Sequence, residues 1–140
     1  MSKVAVVYWS GTGNTQAMAD AVADGARGKG ADVAVFTAAE FGADKVAEYD
    51  GIAFGCPAMG AEELEEDEFA PMFDACLPAL AGKKVALFGS YGWGDGEWMR
   101  TWEERCVSEG VVPVTDCVIC QEAPDDEAVA SCRALGEAVA

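Results

Sequence analysis

The chain has 140 residues, 51% of them hydrophobic, with 25 acidic against 9 basic side chains and a formal charge of −16. That length suffices for one well-buried core and is short for two, so a single domain over residues 1–140 is expected. The charge argues against binding nucleic acid or an anionic membrane surface and favours protein partners with basic docking surfaces, while the absence of histidine removes the commonest general base and the usual zinc ligand.

In chain order, the apolar run Val4 to Trp9 predicts a first strand at about 3–9 that runs into Ser10-Gly11-Thr12-Gly13-Asn14-Thr15 and then into a helical pattern. Hydroxyls of Ser10, Thr12 and Thr15 and the amide of Asn14 alternate with Gly11 and Gly13, so backbone N–H groups can curl around an anion at the positive end of the following helix. No Lys or Arg lies in the run, and the lysine of a Walker loop is missing. Neutral donors on a helix dipole fit one terminal monophosphate. A serine- and glycine-rich turn that only caps a helix would carry the same residues, and the run alone does not separate the two.

The helix that follows has a face of small residues, Ala17, Met18, Ala21, Val22 and Ala26, suited to close packing on a sheet. A second strand is expected at 32–37, a weakly patterned segment with a short helix near 39–48, and a third strand at 51–56. Behind the acidic run Glu65-Glu66-Asp67-Glu68, apolar residues 69, 72, 73, 76, 77 and 80 fall at helical spacing. A fourth strand is expected at 84–89 and a fifth at 111–121. A last helix buries Ala128, Cys132, Leu135, Gly136 and Val139. Trp98 and Trp102 read as core or helix surface, and Trp9 packs either beside a ligand or in the core.

The sum is βαβαβαβαβα, with strands apolar enough for a parallel sheet covered on both faces. Two strand orders are common for such a sheet, and both bind ligands outside the carboxyl ends of the strands. Three loops meet there: Ser10–Thr15; the second loop, Cys56-Pro57-Ala58-Met59-Gly60-Ala61-Glu62-Glu63; and the third, Ser90-Tyr91-Gly92-Trp93-Gly94-Asp95-Gly96. A flat aromatic ligand between the Met59 thioether and the Trp93 indole, with its phosphate in the first loop, fits that chemistry.

The cysteines at 56, 76, 106, 117, 120 and 132 follow apolar patterns rather than disulfide spacing, and no membrane span or export signal is read, so a reduced, cytoplasmic protein is expected. Cys117 and Cys120 resemble a redox C-x-x-C, but three residues apart in a strand they face opposite ways. A phosphorylated receiver domain would need acidic residues where Trp9-Ser10 and Cys56-Pro57 stand.

Taken together, Tyr8–Thr15, Gly55–Gly60 and Leu87–Gly94 resemble the loops of short-chain flavodoxins, those of clostridia-like anaerobes in particular. The resemblance implies a three-layer, doubly wound five-stranded parallel sheet of order 2-1-3-4-5. It also implies non-covalent FMN and low-potential one-electron transfer through a stabilised neutral semiquinone, in a monomer that turns over no substrate. By the same resemblance Ser10, Thr12, Asn14, Thr15 and Ser90 hold the phosphate, and Met59 and Trp93 cover the two ring faces. Gly92 and Trp93 offer N–H groups to the N1/O2 edge, Glu62 accepts from N3–H, and Gly60 presents its carbonyl to N5. Gly11, Gly13, Pro57, Ala58, Ala61, Tyr91 and Gly94 complete the candidate cofactor-binding set, and no metal site is expected. Ala61 stands where relatives often have Asp or Ser, and Pro57 where some have Ser, which bears on fine tuning of potential. A Gly60 carbonyl aimed at N5 would sit in a type II′ turn over Met59-Gly60-Ala61-Glu62, where glycine supplies the positive φ. Glu62, Glu63, Asp95 and Glu97 are expected near the site, where their charge opposes the second electron. The alternative, a flavodoxin-like NAD(P)H:quinone reductase, needs loop insertions that the sequence does not show.

Overall fold

The computed structural model describes residues 2–11, 13–59, 63–92 and 96–140. Five parallel strands, β1 (Lys3–Tyr8), β2 (Asp32–Thr37), β3 (Gly51–Gly55), β4 (Lys84–Tyr91) and β5 (Val118–Gln121), form one sheet of order β2-β1-β3-β4-β5. Between them run α1 (Asn14–Gly28), the single turn α2 (Ala43–Val46), α3 (Phe69–Cys76) and α4 (Glu97–Ser108), and α5 (Asp126–Val139) closes the chain.

The period-two alternation of the strands sorts their side chains into two cores. Val4, Val6, Ala53, Ala86 and Phe88 point to the layer of α1 and α5, whereas Ala5, Val7, Ile52, Phe54 and Leu87 point to that of α2, α3 and α4. The second layer is aromatic: Phe69 and Phe73 each meet Trp102 edge to face with centroids 5.4 and 5.5 Å apart, and Trp98 is buried beside them. The first is built on small residues. A methyl on Gly136 would collide with the Val22 carbonyl, and one on Gly25 with that of Arg133, so these two glycines set how closely α1 and α5 approach. Ala19 and Ala23 are buried in this layer, while Ala17, expected to pack on the sheet, is exposed.

The expected fifth strand over 111–121 is corrected to Val118–Gln121. Pro113 has no N–H for a ladder, Val112 is 68% exposed, and only Val114 N–H reaches the sheet, at Val85 O. The helix read through residue 80 is α to Cys76 and then a 3-10 turn, Leu77–Ala79, because Pro78 disfavours helical geometry before it. Leu77 and Leu80 still bury as the pattern required. Ser90 and Tyr91, read as loop, belong to β4.

Candidate functional site

Three loops come together at the carboxyl ends of the strands because the sheet order sets β1 between β2 and β3, and β4 next to β3. The first loop turns on its own residues. Gly13, at φ 93°, precedes α1 in the left-handed region that favours glycine, and its N–H donates to Ser10 Oγ at 3.0 Å. The first turn of α1 holds no carboxylate, in a chain with 25 of them, which leaves the positive helix end uncancelled. Thr15 is 1% exposed and Ser90 4% exposed. Their hydroxyls lie 3.2 Å apart and tie the first loop to β4.

The second loop extends the β3–β4 ladder beyond the strand: Cys56 N–H donates to Phe88 O at 3.1 Å and Ala58 N–H to Ser90 O at 3.0 Å. Met59 and Glu63 then exchange two backbone bonds, 2.9 and 3.4 Å, as an isolated antiparallel bridge. In the acidic run behind it, read as the start of a helix, one carboxylate turns inward. Glu65 is 6% exposed. Burial raises its carboxyl pKa, but the backbone N–H groups of Phe69, Glu68 and Asp67 outweigh that and hold it below the ordinary range.

A cleft of about 580 Å³ opens between the loops. The first loop lines it with Gly11 and Asn14, the second with Pro57, Ala58 and Met59, and the β4 end with Ser90, Tyr91 and Gly92. Trp9 lines it too while packing against the aromatic core, and its ring would lie 3.1 Å from a methyl built on Gly11, closer than ordinary contact. Ser10, Gly13 and Thr15 are not among the residues that line it. Thr12, Gly60, Ala61, Glu62, Trp93 and Gly94 lie outside the described residues.

Sequence reasoning missed Glu122 and Ala123, which close the cleft from the loop after β5. Glu122 has φ 58°, unusual for a residue with a side chain, and its N–H donates to Tyr91 O at 2.7 Å. A fifth parallel strand also ends at this edge, so its following loop was a readable candidate. Among the described residues that line the cleft, none is Lys or Arg.

The thiols carry no chemistry here. Cys117 packs on one core and Cys120 on the other, as the strand periodicity requires, and all six cysteines are free. Burial pushes Cys56, Cys117 and Cys132 up to about 12, so they remain unreactive thiols.

An open, doubly wound parallel sheet with a partly apolar cleft at its carboxyl edge, beside a helix N-terminus free of acid, defines a nucleotide-binding α/β protein. The flavodoxin family model matches residues 6–136. Over 137 residues, 98% of each chain, the sequence is 47% identical to a flavodoxin of Megasphaera elsdenii, and over 135 residues it is 47% identical to one of Clostridium beijerinckii, covering 96% of this chain and 97% of that one. The solution structure of the two-electron reduced Megasphaera elsdenii flavodoxin superposes with a TM-score of 0.89, covering 97% of each chain. The chain belongs to the flavodoxin family. It is an electron-transfer protein that uses FMN, and the reductase alternative finds no support in these matches.

Proposed function

We propose that residues 1–140 form one FMN domain that carries single electrons between redox proteins with basic docking surfaces, works as a monomer in the cytoplasm and turns over no substrate of its own. The observation that carries this reading is the cleft itself, walled by four loops at the carboxyl ends of the strands and opening beside the acid-free N-terminus of α1. The donor set fits a phosphate: a hydroxyl that accepts one bond, as Ser10 does from Gly13, keeps its own proton to donate.

Bound FMN takes up and releases electrons one at a time. In the proposed assignment, Ser10, Thr12, Asn14, Thr15 and Ser90 bind its phosphate, the Thr15 and Ser90 hydroxyls being tied to each other across the cradle. Met59 and Trp93 exclude water from the ring faces. Gly92 and Trp93 donate N–H groups at the N1/O2 edge, Glu62 accepts at N3, and the Gly60 carbonyl holds a proton at N5. Trp9 and Tyr91 supply further apolar wall, and Glu122 sets a carboxylate on the rim. The six free thiols support a reducing compartment, and the charge of −16 supports basic partners. Among the described residues no helix is long and apolar enough to cross a membrane.

Titrating the apoprotein with FMN and with riboflavin, read by quenching of flavin fluorescence, tests the assignment. FMN should bind far more tightly, because the first loop contributes only through the phosphate. Equal affinities would overturn the phosphate cradle. NADPH consumption by the purified protein without added reductase would overturn the carrier reading.

A further inference from the structure

Cys56 and Glu65 form a knot at the base of the second loop that the assignment above leaves unused. The Glu65 carboxylate accepts the N–H groups of Asp67, Glu68 and Phe69 at 2.8, 2.7 and 2.8 Å, and its carbonyl accepts that of Ala70 at 2.8 Å. Its own N–H donates to Cys56 Sγ at 3.4 Å. The Cys56 thiol donates onward to the Pro57 carbonyl at 3.5 Å, and the Cys56 carbonyl accepts the Trp98 indole N–H at 3.1 Å. The residue that follows β3 is thus bound to the residue whose carboxylate and carbonyl take up the first N–H groups of α3 and, through Trp98, to α4.

An exposed Ser or Asp beside the helix would cap it at no desolvation cost. A buried carboxylate is costly unless fully hydrogen-bonded, and its place here does what an exposed cap cannot: the same residue that collects the N–H groups of the turn leading into α3 also reaches Cys56. Burial keeps the Cys56 thiol protonated well beyond neutral pH, so its donor and acceptor roles persist together.

We propose that Cys56 and Glu65 are positioning residues for the first reduction of FMN: they fix both ends of the second loop, and with them the reach of the acceptor this loop offers the flavin once it is reduced. The inference rests on the reading that this loop lies against FMN. It makes a prediction of sign. Loss of a buried negative charge by itself favours added electrons and raises both potentials, whereas loss of positioning lowers the first.

Potentiometric titration of holoprotein in the native form and in Glu65→Ala, Glu65→Gln, Cys56→Ala and Cys56→Ser tests this, alongside FMN titration of each apoprotein. Glu65→Ala and Cys56→Ala should each shift the first one-electron equilibrium about threefold to tenfold toward oxidised protein, and tenfold corresponds to about 59 mV. Affinity for oxidised FMN should change less than that. Glu65→Gln and Cys56→Ser keep an acceptor and should recover at least half the shift, and the two alanine changes together should fall short of additive because they release one loop. A first potential that stays put in both alanine variants, or rises in both Glu65 variants, overturns the proposal. Should Glu65→Ala fail to fold, the Cys56 pair decides alone by the same criterion. If the native apoprotein binds no FMN, the proposed function itself falls, and this inference with it.

Discussion

A carboxylate survives at 6% exposure in Glu65 because three backbone N–H groups meet it within 2.8 Å. Its pKa lies below the ordinary range in the folded protein, and an unfolded glutamate titrates at about 4.3. A group depressed in this way stabilises the fold at pH values above the unfolded pKa. That contribution is lost as pH falls through the ordinary carboxylate range toward the depressed folded value. Glu65→Gln should therefore unfold at lower denaturant at pH 7 and lose less stability than the native chain between pH 5 and pH 3. Denaturant titrations across that range measure it, and parallel curves would remove Glu65 from the acid response. Gly60 is tested by adding a side chain rather than removing one. Under the proposed turn, a Cβ costs roughly 1 kcal/mol at positive φ and a branched one more. The first-electron potential should then fall in the order Gly, Ala, Thr, by about 40 mV per kcal/mol, while oxidised FMN still binds. An unchanged first potential in Gly60→Thr would assign the N5 acceptor to another group.

The helices of the α1–α5 layer depend on two glycines more than on large side chains. Each helix lays its backbone where the other's missing Cβ leaves room, at Gly25 and at Gly136. Gly136→Ala gains helix propensity yet must push α1 away from α5, and overpacking of this kind costs about 1–3 kcal/mol. The expected result is a lower denaturation midpoint with an unchanged m-value, measured in urea. A midpoint at or above that of the native chain would mean that the helices yield freely. The elements were legible where one signal dominated: an uninterrupted apolar run for β1, β3 and β4, and 3.6-residue spacing for the start of α3. The errors arose where two signals competed. Residues 111–121 are apolar enough for a strand, but Pro113 breaks the ladder and only Val118–Gln121 pair. Glu65 sat among four consecutive acids, and composition carries no sign of which one turns inward to collect N–H groups. Of the site, the first three loops could be read because each strand gives way to a turn residue within three positions, Gly11 after β1, Pro57 after β3 and Gly92 after β4. The fourth wall, Glu122 and Ala123, has neither glycine nor aromatic residue to mark it.

Across the whole molecule, a charge of −16 places the cleft in a negative field, and the described lining adds Glu122 without any compensating base. Such a surface slows approach of anions and speeds that of a basic partner, an effect on association rate that salt screens over a Debye length of about 8–10 Å. The acidic side chains that can act this way are those at the surface. Glu63 and Glu66 are exposed next to the second loop, whereas Glu65 between them is buried and bonded. Reversing Glu65 would therefore break a cap and confuse steering with unfolding; Glu63→Lys with Glu66→Lys confines the change to the surface. Electron transfer from a basic reductase should slow several-fold as ionic strength rises from about 10 mM to 500 mM. The double reversal should slow it at low salt, converge with the native rate at high salt, and leave the melting temperature within a few degrees. Stopped-flow measurement of the second-order rate at both ionic strengths distinguishes these outcomes, and a native rate that is flat with salt would remove electrostatic steering as the means by which this acidic surface finds its partners.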